Sequence, residues 1–303
     1  MSNLAQIDEL PLAQGVTVIT SNEDGLVALD KPVGVLSHPN SDRDIKRSLL
    51  KATYDYDGEV FIWQDTSGVE KRAWLINRLD SSTSGVILLA LNPEVNAIVK
   101  ECFATHKVNK VYYALVKKTP GKPVGVWNDV LLKDRHNGAR VIKKAQSIPA
   151  KARYQVVRTP IGGFPICLLK LMPVTGRTHQ LRVQCAKHGH PIVGDRTYGS
   201  FSFNREVAHE TSQKRMMLHS CETVVNYAFK GKLRVFSAKS ELPEAFQEVM
   251  GFRPGLSHGR PQPQAIKKPV PNKIVRPTPP TLSGESPSQR LKNKALAQRR
   301  FKH

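Results

Sequence analysis

The chain has no apolar run approaching the ~20 residues that a membrane-spanning helix needs; its longest, such as residues 86–91, are of strand length. Its opening, MSNLAQIDEL, carries acids and lacks a basic stretch followed by an apolar one, so it does not read as a secretory signal. A cytoplasmic protein is the expectation. Cysteine is scarce: Cys102, Cys167, Cys185 and Cys221 never form C-x-x-C, which excludes a disulfide scaffold and zinc-ligand spacing and leaves buried reduced thiols as the expectation. His188 and His190 flank a glycine in K-H-G-H-P without the i, i+4 pairing of a metal site, and no metal is predicted. Acid is in short supply too. Against 46 Lys and Arg stand 25 Asp and Glu, a net charge of +21 with a pI of 10.0. Such a surplus calls for a polyanionic partner, and nucleic acid ranks ahead of a membrane because no polybasic stretch abuts an apolar run.

The charge is uneven. From Arg253 onward there are 12 Lys and Arg against one acid, Glu285, so this tail carries +11 and leaves +10 to residues 1–252. It also holds nine of the 21 prolines and few large apolar residues, a composition that cannot bury enough surface to offset ordering entropy. A disordered tail at 253–303 is expected, either solubilising or an RNA-binding arm, with residues 288–300 able to form a short basic helix on RNA. Residues 1–15 are a leading segment. Between them, residues 16–252 read as one α+β domain with a mixed, largely antiparallel sheet flanked by helices and loops.

Local signals support that class. Residues 25–30 read as a short buried strand ended by the Pro32 turn, and residues 86–91 as a second strand. Asn92-Pro93-Glu94 supplies an N-cap, a proline at the first helical position and an acid in the first turn, opening a helix to about Thr105. Residues 110–116, KVYYALV, read as a strand, and residues 151–158 and 164–172 as an antiparallel pair around Gly162-Gly163. Residues 178–187 fit a helix.

Two constellations carry chemistry. In residues 77–91, NRLDSSTSGVILLAL, Asp80 stands before an apolar strand. Either Asp80 and the hydroxyls of residues 81–84 satisfy a turn, or Asp80 is a nucleophile or base kept ionised by an arginine. Nothing local decides. Residues 173–182, PVTGRTHQLR, gather Arg177, Thr178, His179, Gln180 and Arg182 around one glycine, donors suited to phosphate, ribose and base edges. The loop GHPIVGD, residues 189–195, follows.

These residues resemble the RluA-type pseudouridine synthases. R-L-D-S-S-T-S-G-V-I-L-L-A resembles that family's H-R-L-D-x-x-T-S-G-L-L-L-L-A, with Asn77 where the histidine stands. Residues 30–39 resemble N-K-P-x-G-x-x-x-H-P, residues 110–116 the K-x-Y-x-A-x-V strand, and residues 175–183 with 189–199 T-G-R-T-H-Q-I-R-V then G-H-P-I-V-G-D-x-x-Y-G. Leu218-His219 fits the late L-H element, and residues 236–238 are similar to F-x-A-P without its proline. The ordered motifs cover roughly residues 16–252.

The resemblance implies an isomerase that detaches uracil from ribose within rRNA or tRNA and rejoins it through carbon, without cofactor or metal. On it, Asp80 is the catalytic nucleophile or base, Tyr112 stacks on the base and assists proton removal at carbon 5, and Arg182 pairs with Asp80. Tyr113, its strand neighbour, points to the other face. Leu181 is the apolar wall beneath the base, and Arg78 reaches the RNA and fills the gap left by a flipped nucleotide. Arg177, Thr178, His179 and Gln180 are expected to bind substrate. A monomer without an obligate protein partner is expected. Two other classes compete: an RNA-binding or RNA-folding protein of the same fold without catalysis, and a hydrolytic glycosidase, which needs a second carboxylate ~5 to 10 Å from Asp80. Asp195, the other motif acid, reads as a loop stabiliser.

Overall fold

A computed structural model describes residues 7–133, 146–159 and 163–255. Its strands are β1 (Thr17–Ser21), β2 (Leu26–Lys31), β3 (Thr53–Asp55), β4 (Val60–Gln64), β5 (Glu70–Leu75), β6 (Ser84–Ala90), β7 (Val108–Lys117), β8 (Val124–Lys133), β9 (Gln146–Arg158), β10 (Ile166–Pro173), β11 (Leu218–Phe229) and β12 (Lys232–Lys239). The helices α1 (Pro93–Ala104), α2 (Gln180–Lys187), α3 (Phe201–Thr211) and α4 (Glu244–Gly251) pack against them. Beyond residues 253–255, the tail lies outside the described residues. No helix among those described is long and apolar enough to cross a membrane.

The strands form a single sheet in the order β3-β4-β5-β6-β11-β7-β10-β9-β8, with β2 also on β6, β1 on β2, and β12 on β11. Every pairing is antiparallel except β6 with β11, where His219 lies opposite Ser84 and Ser220 opposite Gly85. The α+β, largely antiparallel reading is thus what the chain forms. β6 explains why five apolar residues follow the 77–83 loop: all seven of its residues are buried. Ile87 and Leu89 join Leu29, Phe61 and Leu75 on one face, while Val86, Leu88 and Ala90 meet Val95 and Val99 of α1 on the other. A strand buried on both faces has no polar side to alternate.

Helix α1 starts where its signals place it, with Asn92 Oδ1 accepting from the Glu94 and Val95 amides at 2.8 and 3.3 Å. β9 and β10 pair as expected, Tyr154 opposite Leu171. Helix α2 begins at Gln180, two residues later than read, because His179 takes a left-handed conformation (φ 53°, ψ 16°). Of the four cysteines expected to be buried, the fold buries only Cys167 and Cys185.

The β6–β11 junction depends on Gly85. Its φ is +108°, and a Cβ built there would lie 2.1 Å from the Ser220 carbonyl oxygen, a backbone atom that cannot swing aside. Gly85→Ala is therefore expected to destabilise by more than about 4 kcal/mol, seen as insoluble protein or a thermal midpoint lower by on the order of 10 °C. A midpoint within 2 °C of wild type would contradict this.

Candidate active site

The loop between β5 and β6 is pinned by the last residue of β2 and the segment that follows it, residues 31–37. Ser37 Oγ donates to the Leu79 carbonyl at 2.7 Å and accepts from the Leu79 amide at 2.9 Å. The Gly34 amide donates to the Ser81 carbonyl at 2.7 Å, and Thr83 N to Asp80 O at 2.9 Å. Fully buried Lys31 donates from Nζ to the Val35 and Pro32 carbonyls at 2.8 and 3.0 Å. Burial pushes its ammonium down to about 7, and the Asp80 carboxylate opposes that fall. Asn77 Oδ1 accepts from the Leu88 amide at 2.8 Å, near where β5 leaves β6. The asparagine in the histidine's place therefore ties the start of the loop that carries Asp80 to β6.

Above the loop lies a cleft of about 670 Å³. All nine side chains singled out from sequence line it: Asp80, Tyr112, Arg182, Arg78, Leu181, Arg177, Thr178, His179 and Gln180. They come from chain segments about 100 residues apart, brought together by the sheet order and the first turn of α2.

Asp80 is half-buried, and Arg182 Nη1 donates to its Oδ2 at 2.9 Å. Arg182 is in turn fixed from its other edge: Nε and Nη2 reach Asp195 Oδ2 and Oδ1 at 2.8 and 2.9 Å, a planar fork on a carboxylate that is 1% exposed. Asp195 Oδ1 also accepts from the Thr197 and Tyr198 amides at 2.8 and 3.0 Å. Arg182 and these amides hold its carboxyl below the usual range despite burial. Asp195 does stabilise its loop, and it also orients the arginine on Asp80, a role the sequence reading missed. The other Asp80 oxygen, Oδ1, faces His179 Nε2 at 3.7 Å, while His179 Nδ1 lies 3.1 Å from the Tyr198 hydroxyl. A non-glycine residue held left-handed beside a carboxylate is the sort of local strain that gathers at functional sites.

Tyr112 lies on the cleft side of β7, whereas Tyr113 packs with Leu115 and Phe246 on the opposite face. Burial, then the nearby Asp80 charge, push the Tyr112 hydroxyl up, so it is a neutral phenol at pH 7. Leu181 is buried in the cleft wall; Arg78, Arg177 and Thr178 are exposed at its rim. Gln180 corrects its sequence reading. Its oxygen accepts from Thr175 Oγ1 and the Arg177 amide at 2.8 and 3.0 Å, and its nitrogen donates to Lys151 O and Gln184 Oε1, both at 3.1 Å. With its amide fully engaged by the protein, Gln180 shapes the turn and has no free donor for a ligand. Among the described residues no group of three His, Cys, Asp or Glu could hold a metal ion.

Behind the cleft runs a polar chain that the sequence did not reveal. Arg215 Nη2 donates to Ser84 Oγ at 2.6 Å, Ser84 Oγ lies 2.8 Å from His219 Nδ1, and His219 Nε2 faces Ser240 O at 3.4 Å. This order suits a neutral imidazole protonated on Nε2. Burial lowers His219 from 6.5 to about 4. The unfolded chain thus binds the extra proton between pH 6.5 and 4, so stability is full above 6.5 and lost as pH falls toward 4, by about 3 kcal/mol. Denaturant unfolding at pH 7 and pH 4 checks this: His219→Asn should show a pH difference smaller by about that amount. An unchanged difference would refute it.

Sequence and fold comparisons identify the relatives of the chain. The profile of the RNA pseudouridylate synthase family matches residues 25–187. The chain is similar to tRNA pseudouridine synthase C of Yersinia pestis, 31% identical over 237 residues that cover 74% of this chain and 87% of that one. It is likewise similar to the dual-specificity RNA pseudouridine synthase RluA of Vibrio vulnificus, at 30% identity over 72% of this chain and 81% of that. The fold matches that of human RNA pseudouridylate synthase domain containing 4, with a TM-score of 0.54 and 22% identity over 77% of this chain and 91% of the other. The chain belongs to the RluA-type RNA pseudouridylate synthases, enzymes that isomerise uridine in RNA to pseudouridine.

Proposed function

We propose that Asp80, Tyr112 and Arg182 perform this isomerisation on a flipped-out uridine of a structured RNA, with tRNA as the substrate class, in a catalytic domain spanning residues 16–252. The names of its relatives favour tRNA over rRNA. The observation that carries the reading is the Asp195–Arg182–Asp80 arrangement: a guanidinium clamped on its far edge presents one carboxylate to the cleft with Oδ1 unclaimed by the arginine. In the reaction the N1–C1′ bond breaks, uracil turns, and C5–C1′ forms; the C5 proton leaves and N1 gains one, so mass is unchanged. Asp80 Oδ1 is the nucleophile or base, fixed by Arg182. As a neutral phenol, Tyr112 passes the C5 proton on through its hydroxyl, with its ring stacked on the base. Leu181 walls the base, while Arg78, Arg177, Thr178 and His179 grip the surrounding RNA, and Arg78 fills the vacated stack. The enzyme works as a cytoplasmic monomer without an obligate protein partner.

The test is pseudouridine mapping of total RNA from cells lacking the protein, complemented with wild type or Asp80→Ala. A tRNA uridine modified only with wild type is expected. A modified rRNA position instead would overturn the substrate class, and an unchanged map would overturn the reading.

A further inference from the structure

Lys110 lines the cleft and has no role in the chemistry above. It lies on β7 two residues before Tyr112, so both side chains leave the strand on the same face. Its Nζ sits 5.7 Å from the Phe103 ring centroid and 3.6 Å from where a Cβ on Gly176 would stand, between α1 and the T-G-R turn. Among the described residues no carboxylate comes within ion-pair distance of it. The two acids that line the cleft are already engaged, Asp80 with Arg182 at 2.9 Å and Glu59 with Lys100 at 2.6 Å. Burial lowers the Lys110 ammonium with no neighbouring charge to oppose it, unlike Lys31, which Asp80 supports. Holding a half-buried cation without an anion costs stability. A ring face offers it only a weak partner. The missing anion has to arrive with the ligand, and uracil carbonyls carry no net charge. RNA supplies an anion at every linkage.

We propose that Lys110 is a substrate anchor that takes one backbone phosphate adjoining the target uridine and so holds the RNA strand in the cleft. This rests on the RNA-isomerase reading above. It adds a binding contact to that reading.

The experiment uses the full chain and a synthetic stem-loop around the uridine mapped in cells, with a neutral methylphosphonate replacing the linkage 5′ or 3′ of that uridine. Lys110→Met should raise Kd about tenfold and flatten the slope of log Kd against log salt by about 0.7 to 0.9. The single-turnover rate of bound RNA should stay within about threefold of wild type. Lys110→Arg should restore affinity, and Lys110→Met should melt no lower than wild type, since it removes an unpaired half-buried charge. For wild type, one methylphosphonate should weaken binding as much as the Lys110→Met change does; in Lys110→Met that same linkage should cost nothing further, while the other stays additive. Which linkage shows the coupling identifies the phosphate. Additive losses at both linkages, or a fall in rate at unchanged Kd, would overturn the assignment while leaving wild-type isomerisation, and the parent reading, intact. A wild type that binds the stem-loop without isomerising it would instead refute the parent reading.

Discussion

Asp80→Asn should slow single-turnover isomerisation by at least about 10⁴-fold, while Kd for the RNA stays within a few-fold of wild type. The amide keeps the shape of the carboxylate and a contact to Arg182 Nη1, now 2.9 Å from Oδ2, but loses the lone-pair reactivity and the negative charge that a nucleophile or base needs. Affinity comes from elsewhere. Arg78 and Arg177 stand exposed at the rim, and residues 1–252 carry +10, so the phosphate contacts that dominate binding survive the change. Rate and affinity must therefore separate. If they fell together, Asp80 would be a binding or folding residue, as in the turn-capping reading of its loop.

Arg182→Met is the second large effect, and it should strike stability and activity at once. The guanidinium is 7% exposed at its side chain and serves two carboxylates, of which Asp195 is 1% exposed. Removing one partner of a buried pair leaves an uncompensated charge, at a cost of about 3 to 5 kcal/mol, or on the order of 10 °C in the thermal midpoint. Activity should fall at least about 100-fold because Asp80 loses its fixed donor. Arg182→Lys retains the charge but not the fork, and cannot reach both carboxylates with the same geometry. The double variant Arg182→Met with Asp195→Asn separates the two effects: it should regain most of the stability and none of the activity. Regained activity would mean that the arginine serves the fold alone.

The legible parts of this molecule were those where one local signal sufficed. The N-cap at Asn92, the buried run of β6 and the aromatic β7 each occupy the place their residues indicate. Residues Asp80, Tyr112 and Arg182 could be assembled only through a family resemblance, because pairing across 102 positions leaves no periodicity to read. The partners behind them were not legible. Asp195 stands in a motif that reads as a loop stabiliser, since nothing in G-D-R-T-Y-G says that its carboxylate also faces an arginine 13 residues earlier. Gln180 reads as a ligand contact because it neighbours such residues in sequence, yet its amide is consumed by Thr175, Arg177, Lys151 and Gln184. The Arg215–Ser84–His219 chain depends on the parallel β6–β11 pairing, which brings positions 135 apart side by side. Hydrogen bonds between distant side chains follow from topology, and topology is what a single sequence states least directly.

Tritium release from RNA labelled at C5 of uridine tests the central claim most directly. Purified protein, incubated with unmodified tRNA transcripts, should release tritium to water as each C5–C1′ bond forms, stop at one or a few equivalents per tRNA, leave the RNA mass unchanged apart from the lost label, and yield no free uracil; Asp80→Asn should release none. Free uracil with its tritium retained would identify a glycosidase, and binding of these transcripts without release would contradict the claim that this cleft isomerises uridine in tRNA.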